Sequence, residues 1–300
     1  MVACWKDDSS NRAKRDYDPP PTFSPSTSAS PSPSQSPGAG NSNANMNVNA
    51  SEIKSGGFTA NLPGTFNQPS DDVGRRLLKE YGAVFVAKGG ATSPNVVVFR
   101  DGNEVTAFQS SVAKSSETVG GVAIELQAAA MKALKDAVAD AGKAGTSITP
   151  KGSDAAKRDY AGTVDLWASR VDPGLEHWVK AGKVSDSDAK RIKALSPYEQ
   201  VPEIFKLEDK GIFFSKDLSK SIIYSVAPPG TSQHLSMLAL DVTENDKPQV
   251  REILAKHGWF QTVVSDLPHF TFLGVSEADL TKLGLKKVEN GGRAFWVPSV

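Results

Sequence analysis

From about residue 71 onward, the apolar positions of this chain recur with periods that specify individual elements. "IELQAAAMKALKDAVADAGKAG" carries them at helical spacing, with many alanines and a glycine near its end. It predicts a helix from about Ile124 to Ala141. "SDAAKRDYAGTVDLWASRV" opens on Ser153 as a candidate N-cap and predicts a second helix. "SDSDAKRIKAL" predicts a third, "KPQVREILAKHGW" a fourth that stops at Gly258, and "EADLTKLGL" a last short one. "YGAVFVAKGG" holds a short β-type run, and "SIIYSVA", "LALDV", "FQTVV" and "HFTFLG" read as strands. Two hairpins are expected: one in "NVVVFRDGNEVTAFQ" around Asp101-Gly102, and one in "KKVENGGRAFWVPSV" around Asn290-Gly291-Gly292. Helices followed by antiparallel-looking strands predict an α+β fold, with helices packed on a small antiparallel sheet. The chain contains no internal repeat.

The first 70 residues depart from this regime. They hold nearly half of the 19 prolines, in runs such as "DPPPTFSPSTSASPSPSQSPGAG", and few large apolar residues. Such a segment buries too little apolar area to offset its conformational entropy, so 1–70 is expected to be a disordered tail or tether. The folded domain is then 71–300, with 71–118 as a hairpin-containing entry segment and 119–300 as the core. Lys and Arg total 34 against 34 Asp and Glu. A balanced chain has no long-range field to gather nucleic acid, and no such partner is expected. A single cysteine, Cys4, excludes an internal disulfide. "MVACWKDDSS" resembles the tail of a bacterial lipoprotein signal, which implies a lipid on Cys4 and an envelope location; the other reading of Cys4 is an ordinary free thiol. As a tether, about 65 flexible residues would reach roughly 45 Å.

Four histidines are available for chemistry: His177, His234, His257 and His269. His177 and His257 fall at helix-end or surface positions. His234 stands at the mouth of the buried-looking strand "LALDV", seven residues before Asp241, and His269 follows Asp266 by three. Histidine and carboxylate together form a common metal-binding set. Spacing alone is also compatible with ordinary hydrogen-bonded core residues, and favours them.

"SQHLSMLALD" resembles the S-x-H-x-x-G-x-A-x-D signature of VanY-type D-alanyl-D-alanine carboxypeptidases, zinc peptidases that share a fold with D,D-dipeptidases and the hedgehog signalling domain. Ser232, His234, Ala239 and Asp241 match it. "DLPHFTFLG" is similar to the family's second motif, E-x-W-H and a strand ending in glycine, through Asp266, His269 and Gly274. "RDYAGTVDLW" resembles the R-S-Y-x-x-Q-x-x-L-[WY] helix through Arg158, Tyr160, Leu166 and Trp167. Gly258-Trp259 has a counterpart between the two strand motifs. The likeness covers roughly residues 120–275. Met237 stands where the signature has glycine, Thr163 where it has glutamine, Asp266 where it has glutamate and Pro268 where it has tryptophan.

The resemblance implies a Zn2+ ion held by His234, Asp241 and His269, with a fourth position left for water. It implies Asp266 as general base and Arg158 as the cation facing a substrate carboxylate or a developing oxyanion. The other reading of Arg158 is a surface ion pair with Asp154 or Asp159. Ser232 either binds the substrate carboxylate or caps the turn before His234, and Tyr160 is a packing residue. The implied substrate is a peptidoglycan stem peptide. An L,D-carboxypeptidase, an endopeptidase or a non-catalytic cell-wall binding protein are the alternatives.

Overall fold

A computed structural model describes residues 52–300; Cys4 and most of the Ser/Pro/Asn-rich stretch lie outside the described residues. The fold is α+β. The described chain enters through α1 (Gly57–Asn61), α2 (Asp72–Tyr81) and α3 (Gly102–Ser111). A hairpin of β1 (Lys114–Val119) and β2 (Val122–Gln127) follows. Four helices come next: α4 (Ala128–Lys143), α5 (Tyr160–Lys180), α6 (Asp186–Ala194) and α7 (Pro197–Glu208). The last third contains β3 (Ala239–Asp241), α8 (Pro248–Lys256), β4 (Trp259–Phe260) and β5 (His269–Phe272), then a closing hairpin of β6 (Leu285–Asn290) and β7 (Arg293–Pro298).

The sheet that matters for function has the order β3-β5-β4, antiparallel throughout. Every residue of these three strands is buried. A sheet covered on both faces tends to read as continuous apolar runs, as "LALDV" does; "HFTF" alternates, and its polar face is buried as well. One core cluster runs from Phe58 through Leu77, Leu134 and Trp167 to Trp259 and Trp296. The packed region therefore begins before Asp71: Phe58 is 3% exposed, and the Asn61 amide donates to the Lys282 carbonyl at 3.2 Å. Leu77, Leu78, Tyr81 and residues 83–87 join this core, while Phe99 and Val105 pack with Leu235 in a smaller cluster.

Several elements differ from expectation, each for a local reason. Asp101-Gly102 starts helix α3 instead of closing a hairpin, because the Asp101 carboxylate caps the amides of Asn103 and Glu104 at 2.8 and 3.0 Å. The expected helix at Ile124 starts at Ala128, since Ile124–Gln127 pair in the β1/β2 hairpin. The second helix is capped by Asp159, not Ser153. Residues 150–158 are spent elsewhere: Pro150 bridges Val242, and the Ala155 carbonyl accepts from the Asp241 amide at 2.8 Å. "GAVFV" and "IIY" are 3-10 turns (Gly82–Val86 and Ile222–Tyr224), and "EADLTKLGL" contributes only the 3-10 turn Glu277–Asp279. Of "FQTVV", only Phe260 belongs to a strand.

Candidate metal centre

Three neighbouring pieces of backbone deliver the centre. Antiparallel pairing of β3 and β5 sets Asp241 directly opposite His269, so their side chains emerge side by side. His234 comes from the 3-10 turn Gln233–Ser236 that leads into β3. Met237 ends that turn in the left-handed region (φ 57°, ψ 30°), which redirects the chain into β3. Beside it, residues 155–158 run along β3. The Arg158 amide donates to the His234 carbonyl at 3.4 Å, and the Ala156 carbonyl meets His234 Nδ1 at 3.3 Å.

His234 Nε2, His269 Nδ1 and Asp241 Oδ1 form a nearly equilateral triangle. Its edges are 3.2 Å between the imidazoles and 3.3 Å from each imidazole to the carboxylate. All three residues are buried. The outer nitrogens face acceptors: His234 Nδ1 meets the Ala156 carbonyl, and His269 Nε2 meets Gln233 Oε1 at 2.9 Å. An acceptor outside calls for an N–H on the outer nitrogen, which in a neutral ring leaves a lone pair on the inner one. Burial pushes the His234 imidazole down to about 4; Asp241 opposes that fall and the Arg158 guanidinium adds to it. For Asp241, burial raises the carboxyl, but the attraction and hydrogen bonds of the two imidazoles outweigh burial and hold it well below the usual carboxylate range. The centre thus gathers two imidazole nitrogens and one carboxylate oxygen within 3.3 Å of one another. The buried His-Asp-His group can hold a metal ion.

A cavity of about 50 Å³ opens beside the two imidazoles. Arg158, Ser232 and Asp266 all line it, so the residues singled out in the sequence meet there. Arg158 is no surface cation: its side chain is 11% exposed and its Nη2 is a buried donor without a hydrogen bond. Asp154 Oδ2 forms the expected ion pair with that nitrogen at 3.7 Å, beyond hydrogen-bond distance. Ser232 occupies the N-cap position of the 233–236 turn, yet its hydroxyl makes no capping bond. Asp266 sits in the turn before β5, where its carbonyl accepts from the His269 amide at 3.2 Å. Leu166, on α5, also lines the cavity. Trp167 points into the core and donates to Gln200 at 3.1 Å. Tyr160 packs, its hydroxyl donating to the Arg100 carbonyl at 2.8 Å.

The other histidines stand apart from the centre. His177 is exposed, edge-on to Trp178, and His257 ends α8 with Nε2 3.0 Å from Asp140, its ring buried rather than at the surface. The positions that depart from the motifs have structural roles. Thr163 is buried and donates to the Tyr160 carbonyl at 2.6 Å. The Pro268 carbonyl accepts from the Val242 amide at 2.9 Å. Gly274 is needed as glycine, because at its φ of 66° a Cβ would run into the Lys88 carbonyl.

Pattern reading misses two groups. The wall Ile223–Ala227, with Tyr224 44% exposed, lines the cavity opposite the imidazoles. Glu208, at the end of α7, anchors this wall by accepting from the Ser221 hydroxyl and, at 2.6 Å, from the Ile222 amide. A lone glutamate at a helix end carries no sequence signal for such a task. Searches of protein-family models, of curated proteins and of solved structures each return no match to this chain.

Proposed function

We propose that the chain is a zinc-dependent carboxypeptidase of the bacterial envelope that removes the terminal D-alanine from peptidoglycan stem peptides. The observation that carries this reading is the donor triangle. A zinc ion about 2.0–2.2 Å from three tetrahedral ligands needs ligand atoms roughly 3.3–3.5 Å apart. The edges here are 3.2 and 3.3 Å. Two imidazoles and one carboxylate suit zinc, whereas calcium and magnesium favour all-oxygen sets. The motif likeness at Ser232, His234, Asp241 and His269 supports the substrate class.

Zinc in such a site brings the pKa of water down to about 7 and polarises a carbonyl. The chain's own groups account for the rest. Arg158 lines the cavity with a mostly buried guanidinium whose Nη2 makes no hydrogen bond, suited to a substrate carboxylate or to oxyanion charge. The Ser232 hydroxyl, free of capping duty, is a second donor to that carboxylate. The Asp266 carboxylate accepts a proton from water and returns it to the leaving amine. The cavity is small, about 50 Å³ or room for a few waters, which favours a small terminal group over a cross-link.

The test is to measure metal content and to incubate the purified protein with defined muropeptides, identifying products by mass. Bound zinc and chelator-sensitive release of free D-alanine are expected. Arg158→Ala and Asp266→Ala should keep zinc and lose at least about 100-fold in turnover. A zinc-loaded protein that liberates no D-alanine from any stem peptide would end this reading.

A further inference from the structure

Gln233 precedes the first histidine of the centre and lies fully inside the protein, 3% exposed. Its side-chain amide is held at both ends. Nε2 donates to the Tyr81 carbonyl at 2.8 Å and lies 3.3 Å from Thr262 Oγ1. Oε1 accepts from His269 Nε2 at 2.9 Å and from the Thr271 hydroxyl. A backbone carbonyl can only accept, so the Tyr81 carbonyl fixes which end of the amide is the NH2. The oxygen is thereby forced toward His269. An oxygen facing Nε2 requires the proton to sit on Nε2, and Nδ1 must then carry its lone pair toward Asp241 and His234.

This constraint resolves a competition. Asp241 Oδ1 stands 3.3 Å from His269 Nδ1 and, in the absence of an ion, invites the proton to that side. The Gln233 oxygen offers the shorter bond on the other nitrogen. A proton drawn to Nδ1 would occupy the lone pair that a metal needs.

We infer that Gln233 is a positioning residue of the metal centre: oriented by the Tyr81 carbonyl, its amide oxygen locks His269 in the Nε2–H tautomer and so keeps Nδ1 available to a cation. The inference rests on the zinc reading of the triad. Outer partners of this kind tune metal affinity by about 10–100-fold.

The test compares two variants that both lose the amide donor to the Tyr81 carbonyl and differ in what they present to His269. Gln233→Glu keeps an acceptor for His269 Nε2–H; Gln233→Leu does not. Zinc affinity is measured by chelator competition with Zn2+ alone, next to the thermal midpoint of each metal-free protein. Both variants should lose thermal stability, but only Gln233→Leu should weaken zinc by about 10–100-fold, with Gln233→Glu staying near wild type. Equal losses of affinity in the two would reduce Gln233 to a packing residue and overturn the inference. Imidazole 15N shifts of the metal-free wild type give an independent reading, needed if the leucine variant does not fold. His269 should show a protonated Nε2, and a protonated Nδ1 would overturn the lock. If wild-type protein binds no zinc while His269 is the Nε2–H tautomer, the metal reading falls and the hydrogen-bond relay stands.

Discussion

Met237 is fully buried and adopts φ 57°, a conformation that costs a non-glycine residue about 1–2 kcal/mol. The related motif has glycine at this position, and the backbone explains that: the chain must turn left-handed to bring His234 back over β3. Here methionine accepts the strain and fills space beneath the turn. Removing a buried methionine side chain costs about 2–5 kcal/mol. Met237→Gly should therefore be less stable by a net of about 1–3 kcal/mol despite its relaxed backbone. Met237→Leu, which keeps the volume, should stay within about 1.5 kcal/mol of wild type. Thermal or urea unfolding checks both, and a glycine variant more stable than wild type would show that strain dominates packing here. At this scale the sequence is informative about donors and silent about partners. His234, Asp241 and His269 stand out as the rare groups of buried-looking strands. Their mutual approach depends on β3/β5 register and on the turn at Met237, which only the folded backbone supplies.

Elements were legible where a local marker coincides with a periodic run. Ser185 caps α6, Gly258 stops α8, and Asn290-Gly291-Gly292 closes β6 on β7. The Asp101-Gly102 pair is ambiguous, because the same dipeptide closes hairpins and begins helices. Glu104, three residues on, decides for a helix, its carboxylate accepting from the Arg100 amide at 2.8 Å. Helix α7 is obscured by Pro202 in its interior, although Ser196 and Glu199 form a complete capping box at its start. Its far end matters to the cavity. Glu208 is 6% exposed, bonded to Ser221 and Ile222, with Arg76 3.8 Å away and stacked 4.2 Å over Phe205. Glu208→Ala would leave the Ile222 amide unsatisfied and Arg76 without its partner carboxylate. A loss of about 2–4 kcal/mol is expected, seen as a lower Tm. Because Ile223 and Tyr224 wall the cavity, KM for the proposed reaction should rise more than kcat falls. An unchanged Tm together with an unchanged KM would mean that α7 does not hold the wall.

At the scale of the whole molecule, the centre ties stability to pH and, on the zinc reading, to metal. Burial holds His234 near 4 in the metal-free fold, against about 6.5 in an unfolded chain. Between those values the unfolded state takes up a proton that the native state refuses, so acidification favours unfolding. The His234 contribution is complete above about pH 6.5 and falls by about 3 kcal/mol as pH drops to 4. Asp241, held below the usual range, adds a further loss below about pH 4. Glu208 works in the opposite sense, since burial raises its carboxyl and acid relieves that cost. A raw melting curve sums these effects, so the contribution of His234 must be isolated by comparison. Melts in the presence of a chelator at pH 7, 6 and 5 should show the wild-type Tm falling more steeply than that of His234→Gln, which has no imidazole to protonate. Added zinc should raise the wild-type Tm and leave His234→Gln nearly unmoved, because a ligand that binds only the native state stabilises it by mass action. Parallel pH slopes in the two chelated proteins would show that the His234 ring is reached by solvent, and the picture of a dry imidazole held low by burial would then be wrong.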